Sequence, residues 1–149
     1  MTGVQTCALP IFNSSPRNPL TVIQPDAIGR TFKGAEVTIS QNEIDAFCAV
    51  LGEQDTSIAP PTFSIRISLD QSQAVLTSPE VGVNWDRIVH GDQKFEIHQP
   101  LKAGDVVRCD STLEGYKQMA GNEFVTARSD LYVSDKLAVT NWSTLVVRA

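Results

Sequence analysis

Acidic side chains and one histidine that could transfer protons lie in two short stretches of the sequence. In the first stretch, His90 is followed by Asp92 at i+2 and by Glu96 at i+6, within a run that alternates between polar and apolar residues. Strand residues two apart lie on the same face of a sheet, so the three side chains are predicted to share one polar face. A carboxylate beside a histidine raises the pKa of the imidazole and can orient it. His90 is therefore either a candidate general acid or base, or a solvated or interface histidine.

The second stretch runs from Glu53 to Ile58 and lies between a glycine and two prolines. Glu53 is a candidate catalytic acid, and Asp55 is similar. Just past the end of a predicted helix, both carboxylates could equally be solvated. The stretch contains no histidine.

The bulk composition indicates one globular domain with a hydrophobic core, since 42% of the 149 residues are apolar and 19% are charged. The formal net charge is −5 and no basic patch is visible, which disfavours binding to nucleic acid or to an anionic membrane. No apolar run approaches the roughly 20 residues that span a bilayer. Cys7, Cys48 and Cys109 are far apart, so we expect a reduced, cytoplasmic protein. Neither a metal nor another cofactor is expected, because metal-spaced ligands and a glycine-rich phosphate loop are missing.

The N-terminal residues have a different character. Residues 1–11, MTGVQTCALPI, resemble the translated read-through of a sequencing-library adapter and lack the basic region of a secretory signal. We expect this segment to be non-native. Residues 12–29 are rich in proline, asparagine and serine, which is typical of a linker or a surface arm. A single folded domain is therefore predicted over residues 30–149.

A helix is predicted directly after a short β-favouring run at residues 35–39. Ser40 and Glu43 have the spacing of a capping box, and Gly52 suits the end of the helix. Apolar residues between them follow the i, i+3, i+4, i+7 spacing of an amphipathic helix: Ile44, Phe47, Cys48 and Leu51.

The segment from Pro61 to Leu76 is ambiguous. Its apolar residues at 63, 65, 67 and 69 alternate as in a strand, whereas Ile65, Leu69 and Leu76 also meet helical spacing. From Arg87 onwards, alternation predicts at least four antiparallel strands joined by short turns, one of them fixed by Asp105. Helices packed on one face of an antiparallel sheet form an α+β fold.

The chain resembles proteins of the hotdog fold. The resemblance rests on three segments: Ile58–Phe63 (IAPPTF), Val89–Asp105 (VHGDQKF running into HQPLKAGD) and Trp142–Arg148. More narrowly, the chain resembles the MaoC-like dehydratase N-terminal family, also called FAS1-like dehydratase domains. The resemblance implies an antiparallel sheet wrapped around a central helix, and it makes Pro61 to about Leu76 that helix. Trp142 is then either an interface anchor or ordinary sheet packing.

The resemblance also implies a chemistry. Members of this family hydrate trans-2-enoyl thioesters or dehydrate (3R)-hydroxyacyl thioesters, on coenzyme A or acyl carrier protein, as lyases of fatty acid metabolism. The catalytic branch carries a Gly-Asp-x-Asn-Pro-x-His pattern. Here Gly52 matches the glycine and Glu53 takes the place of the acid, while Asp55 and Thr56 replace Asn and Pro. Ile58 stands where the histidine is expected, and the loop is short, so the usual dyad is incomplete.

We therefore expect an acyl-thioester-binding subunit that is completed by a catalytic hotdog partner and assembles as a homo- or heterodimer. Its expected substrate-binding residues are Pro61, Thr62, Phe63 and His90, although Phe63 could equally be core. Two alternatives stay open. One is a self-sufficient hydratase or thioesterase that uses His90 and Glu53, and the other is a non-enzymatic acyl-CoA-binding module.

Overall fold

The computed structural model of the chain describes residues 23–148. The elements in chain order are β1 Thr31–Phe32, β2 Glu36–Thr38, α1 Gln41–Leu51, α2 Ser64–Thr77, β3 Ile88–Ile97, β4 Val106–Met119, β5 Asn122–Val133 and β6 Lys136–Val147. The six strands form one antiparallel sheet in the order β1-β4-β5-β6-β3, and β2 also pairs with β4. Among the described residues, no helix is both long and apolar enough to cross a membrane.

Helix α1 forms where the capping box predicts it. The Ser40 hydroxyl accepts a hydrogen bond from the Glu43 N–H, and the Glu43 carboxylate accepts one from the Ser40 N–H at 2.8 Å. Gly52 ends the helix in the left-handed conformation, with φ of 77°, where a side chain would be strained. The inner face of α1 packs against the start of α2, with the rings of Phe47 and Phe63 edge to face at 5.4 Å.

Helix α2 is the central helix that the resemblance implies. Its inward face is not the one predicted from hydrophobic spacing, because Ile65 and Leu69 are only half-buried and Leu76 alone of that set is fully buried. Serines at helical spacing, Ser64, Ser68 and Ser72, are buried in their place. The small side chain of serine lets a helix lie close to a sheet.

A row of polar side chains on the sheet faces the same interior. Ser111 lies opposite Ser129, Ser129 lies opposite Asn141, and all three are buried. The two serine hydroxyls are hydrogen-bonded at 2.9 Å. This row and the buried serines of α2 divide the apolar interior into two clusters. The first includes Ile44, Phe63, Leu101, Leu131 and Val139, and the second includes Ile23, Leu76, Leu113, Val125 and Leu145.

Strands β4 and β5 follow the predicted alternation, with their inward residues buried and most neighbours half-buried or exposed. The turn before β4 is fixed as predicted, because the Asp105 carboxylate accepts a hydrogen bond from the Lys102 N–H at 2.9 Å.

Part of the predicted N-terminal arm packs onto the domain. Ile23 and Ala27 are buried in the second cluster, and the Ile23 N–H donates to the buried Glu123 carboxylate at 3.3 Å. The packed domain therefore includes residues before 30. The remainder of the arm, residues 12–22, and the segment 1–11 lie outside the described residues.

Candidate functional site

An apolar groove opens at the start of α2, where the loop after α1 meets the end of β3. The loop is held in place by the Ala59 N–H, which donates to the Leu101 carbonyl at 2.8 Å. The groove encloses about 90 Å³ and is lined by Ile58, Ala59, Pro60, Pro61, Ser64, Ile97, Pro100, Leu101 and Val139. Ile58, at the position where the resemblance expects a histidine, is 46% exposed. The side chain at this position is therefore part of the apolar lining of the groove.

The two candidate acids lie beside this groove and not in it. Glu53 and Asp55 line an adjoining cavity of about 200 Å³ that shares Ile58 to Pro61 with the groove. The Asp55 carboxylate accepts a hydrogen bond from the Ser57 N–H at 2.9 Å, and the hydrogen bonds of Ser57 hold the pKa of Asp55 below its ordinary value. Asp55 is therefore an ionised group that shapes the loop. Glu53 is exposed.

The residues predicted to bind substrate at the helix start have different positions. Pro61 lines the groove, Thr62 is exposed, and Phe63 is completely buried in the first core cluster. Proline has no backbone N–H, so Pro60 and Pro61 offer no donors to a thioester carbonyl. The Phe63 N–H is also bonded, to the Pro60 carbonyl at 2.9 Å. Pro60, Pro61 and Phe63 therefore offer no free N–H to polarise a carbonyl.

His90 lies on a different face of β3 from the one predicted. His90 is opposite Leu145 and Asp92 is opposite Thr144, so Gly91 is an extra residue that forms a β-bulge. The bulge reverses the alternation, and the prediction that His90 shares a face with Asp92 and Glu96 was wrong. His90 instead shares the inner face with Gln93. A glycine inside a strand pattern is a known sign of a bulge, and Gly91 could have given this warning.

The inner-face contacts of His90 determine which of its nitrogens carries the proton. His90 Nε2 is 3.0 Å from Gln93 Oε1, and the Ser143 hydroxyl donates to the same oxygen at 2.6 Å. The Gln93 amide nitrogen donates to the Lys94 carbonyl at 3.4 Å, which fixes Oε1 as the acceptor. A neutral His90 therefore holds its proton on Nε2 and offers Nδ1 as an acceptor.

His90 and the groove lie at opposite ends of β3. Ile97 lines the groove, and seven residues at ~3.3 Å each place His90 about 23 Å away along the strand. Glu53 and His90 of one chain therefore do not form an acid–base pair. In residues 23–148, no three His, Cys, Asp or Glu side chains are grouped closely enough to hold a metal ion.

Comparison with protein families and relatives gives a consistent assignment. A family model described as FAS1-like, dehydratase domain region, matches residues 54–140. A UPF0336 protein of Leifsonia xyli is 32% identical over 136 residues, which is 91% of each chain. UPF0336 proteins of Streptomyces griseus and Streptomyces coelicolor are 42% and 41% identical over 108 and 100 residues. The chain spans 66% of the length of the Streptomyces coelicolor relative and 60% of that of a Thermobifida fusca relative.

Solved structures confirm the hotdog fold at low sequence identity. The (3R)-hydroxyacyl-ACP dehydratase complex HadBC of Mycobacterium tuberculosis matches with a TM-score of 0.72 and 18% identity, over 81% of this chain and 97% of that chain. HtdX of the same organism matches with a TM-score of 0.72 and 17% identity, over 80% of this chain and 51% of that chain. R-hydratase PhaJ1 of Pseudomonas aeruginosa matches with a TM-score of 0.60 and 16% identity, over 81% of each chain.

Proposed function

Because the chain belongs to the FAS1-like dehydratase family, we propose that it is the acyl-thioester-binding subunit of an (R)-specific enoyl hydratase or 3-hydroxyacyl dehydratase. Its ligand is an acyl group on coenzyme A or on acyl carrier protein. The observation that carries the proposal is the groove at the start of α2, whose nine lining residues include no titratable side chain. The free, buried thiols of Cys48 and Cys109 fit a location in the reducing cytoplasm.

The composition of the groove suits binding rather than catalysis. Hydration of an enoyl thioester needs one group that activates water and one that transfers a proton. Ile58 supplies neither, and Ser64 is the only polar side chain in the lining. Binding of an acyl chain in such a groove is favourable because it buries apolar surface. The acid–base pair is then supplied by a second hotdog subunit.

The size of the groove also calls for a second subunit. Pockets that bury a small ligand usually enclose ~300–1,000 Å³. The cavities described for this chain enclose about 90 to 250 Å³. A second subunit that packs over the groove would enclose more of the acyl chain.

The edge of the sheet at β3 is the surface that such a subunit would use. Among the described residues, the ten-residue strand β3 pairs only with β6, so its other side is an open edge of the sheet. At the opposite end of the strand order, the edge strand β1 has only two residues. A long unpaired edge recruits another strand. Val89 and Ile97 on β3 are 45% and 42% exposed, and Ile97 also lines the groove.

Binding and turnover separate the candidate functions. We expect acyl-CoA, and not free coenzyme A, to raise the melting temperature of the purified chain, because only the acyl group fills the groove. We expect no loss of enoyl-thioester absorbance with the chain alone, and turnover when a dyad-bearing hotdog subunit is added. Binding that never leads to turnover with any partner would favour a non-enzymatic acyl-CoA-binding module. Turnover by the chain alone would contradict the proposal.

A matched pair of substitutions tests the location of the site. Ile58→Asp places a charge on the groove wall and should abolish the rise in melting temperature caused by acyl-CoA. Val50→Asp changes an aliphatic residue of α1 that is 87% exposed and lies outside the groove lining, so the response should be retained. Equal responses from both variants would exclude this groove as the acyl site.

A further inference from the structure

Ser64 is the polar side chain at the inner end of the apolar groove. Ile58 and Ile97, at the mouth of the groove, are 46% and 42% exposed, whereas Ser64 is 2% exposed and begins α2. The other eight lining residues have aliphatic or proline side chains. The hydrogen-bonding role of this one hydroxyl therefore decides which ligand atoms can lie beside it.

Three hydrogen bonds fix the direction of the protons around Ser64. The Ser68 hydroxyl donates to the Ile65 carbonyl at 3.2 Å, so its oxygen can only accept from other side chains. The Asn141 amide nitrogen donates to that oxygen at 2.9 Å, which turns the amide oxygen towards Ser64. The Ser64 hydroxyl donates to this amide oxygen at 3.1 Å. The single proton of Ser64 is thus used inside the core.

The opposite orientation of the Asn141 amide would satisfy fewer groups. With the amide oxygen towards Ser68, the single Ser68 proton would have to serve both that oxygen and the Ile65 carbonyl. Buried polar groups in proteins are hydrogen-bonded with few exceptions, so the orientation that forms all three bonds is the stable one. Ser64 therefore presents only lone pairs to the groove and acts there as an acceptor.

We infer that Ser64 is a specificity-determining residue, which selects acyl groups with a hydrogen-bond donor on the third carbon over enoyl, saturated and 3-oxoacyl groups. The inference rests on the proposed function for the role of the groove. A 3-hydroxyl group of the ligand can donate to Ser64 Oγ. An alkyl or alkenyl carbon would instead bury the lone pairs of Ser64 without a partner, which is unfavourable. A 3-oxo group would place a second acceptor against them.

The size of the groove indicates which carbon lies beside Ser64. A dry cavity of ~150 Å³ holds benzene, which has six carbons. The groove encloses about 90 Å³, which in proportion is room for about four carbons. The carrier is too large to enter, so the acyl group enters with its carbonyl carbon at the mouth. Its third or fourth carbon then lies at the inner end, where Ser64 is.

Four-carbon thioesters of coenzyme A test the order of affinities. The 3-hydroxybutyryl, butyryl, trans-2-butenoyl and 3-oxobutyryl thioesters share the carrier and the chain length and differ only at the second and third carbons. One hydrogen bond corresponds to about a two- to tenfold change in dissociation constant. Titration calorimetry with the full chain should therefore show 3-hydroxybutyryl-CoA binding about fivefold more tightly than butyryl-CoA, and 3-oxobutyryl-CoA binding no more tightly than butyryl-CoA. Equal affinity for the hydroxy and saturated thioesters, or tightest binding of the 3-oxo thioester, would overturn the inference.

A matched pair of serine substitutions assigns the preference to one residue. Ser64→Ala removes the acceptor and should abolish the preference for 3-hydroxybutyryl-CoA, with the affinity for butyryl-CoA kept within about twofold. Ser72→Ala is the control and should keep the preference. Ser72 is buried about two turns further along α2 and outside the groove lining, and its hydroxyl has no hydrogen-bond partner in the part of the chain that the structure describes.

Ser64→Cys repeats the test with a side chain of similar size and weaker acceptor strength, in case the alanine variant does not fold. The preference should fall in this variant too. Melting temperatures without ligand show whether each variant is folded. A preference that survives in a folded Ser64 variant would overturn the inference.

Ser68→Ala tests the direction of the protons. It removes the oxygen that fixes the Asn141 amide, so the amide nitrogen can turn towards Ser64 and free the Ser64 proton for the groove. The affinity ratio between 3-hydroxybutyryl-CoA and 3-oxobutyryl-CoA should therefore shrink, although Ser68 lies outside the groove lining. An unchanged ratio would refute the positioning role of Ser68.

Binding itself and the order of binding separate this inference from the proposed function. If the four thioesters raise the melting temperature equally and free coenzyme A does not, acyl binding stands and the role of Ser64 is refuted. If none of the four binds, with or without a dyad-bearing subunit, the proposed function is refuted.

Discussion

Asn141 gives the sharpest test of how the core of this domain is held together. It is completely buried between α2 and the sheet. Its amide oxygen accepts a hydrogen bond from the Ser64 hydroxyl at 3.1 Å, and its amide nitrogen donates to the Ser68 hydroxyl at 2.9 Å. Asn141→Leu keeps a side chain of similar shape and removes both bonds. We therefore expect a large loss of stability from a change that adds apolar surface to the core.

The expected loss of unfolding free energy depends on the hydrogen bonds that Ser64 and Ser68 still make after the substitution. Each lost hydrogen bond costs ~1 kcal/mol, and a buried donor left without an acceptor costs ~1–3 kcal/mol. Ser68 still donates to the Ile65 carbonyl at 3.2 Å, whereas Ser64 has no acceptor besides Asn141 among its hydrogen bonds given by the structure. Asn141→Leu should therefore cost about 2–4 kcal/mol of unfolding free energy. At about 3–5 °C per kcal/mol for a domain of this size, the melting temperature should fall by about 10 °C.

Urea unfolding at neutral pH measures the effect, and a double-mutant cycle assigns it. Replacing both partners of a buried hydrogen bond by apolar groups can be nearly neutral. Ser64→Ala in the Asn141→Leu background should thus recover about 1 kcal/mol or more, although it removes a hydroxyl from the core. Thr144→Leu, on the outer face of the same strand, is the control and should change stability by less than ~0.5 kcal/mol. A cost below about 1 kcal/mol for Asn141→Leu, or strictly additive effects, would refute this account.

Three further predictions concern the packing and titration of the domain. A Cβ at Gly34 would lie 2.1 Å from the Cys109 carbonyl oxygen, so Gly34→Ala should destabilise the fold by about 2 kcal/mol or more in the same unfolding assay. Hydrogen bonds from Ser40, together with Arg66, hold the pKa of Glu43 below its ordinary value, so the contribution of the Glu43 carboxylate to folding stability is present above pH ~4.5 and is lost as the pH falls. The difference in unfolding free energy between the unchanged chain and Glu43→Gln should therefore shrink between pH 6 and pH 3. A difference that stays constant over this range would contradict the prediction. Burial raises the pKa of Cys109 to about 12, so this thiol should not react with a thiol reagent at pH 8 until the chain is unfolded, as mass spectrometry of labelled peptides can check.

Local signals in the sequence predicted the elements that are stabilised by local interactions. The capping box at Ser40 and Glu43 fixed the start of α1, because both of its hydrogen bonds form within four residues. The alternation from residue 106 onwards predicted β4 to β6 with their inner faces, because the apolar side of each strand is covered by the helices. The segment at Pro61–Leu76 was different. Its apolar residues fit two periods, and only the resemblance to a known fold identified it as a helix.

The two errors have a common physical cause. At His90 the cause is a single extra residue, Gly91, which has no partner on β6. It places His90 and Asp92 on opposite faces of the strand, whereas strict alternation along the sequence places them on the same face. In α2 the buried face carries Ser64 and Ser68, which hydropathy treats as solvent-facing. Their partner, Asn141, is more than 70 residues away along the chain. Hydrogen bonds across that separation leave no local signal.

At the start of α2, where the resemblance expects a histidine, Ile58 is accompanied by a second feature that supports the same proposal. An apolar Ile58 removes a base, and a base could in principle be replaced by another side chain nearby. Pro60 and Pro61 also carry no backbone N–H, so these two positions offer no donors to a thioester carbonyl. Proton transfer next to a thioester carbonyl needs both a base and a polarised carbonyl. Under the proposed function, this chain supplies the groove and the β3 edge, and the acid, the base and the donors come from another subunit.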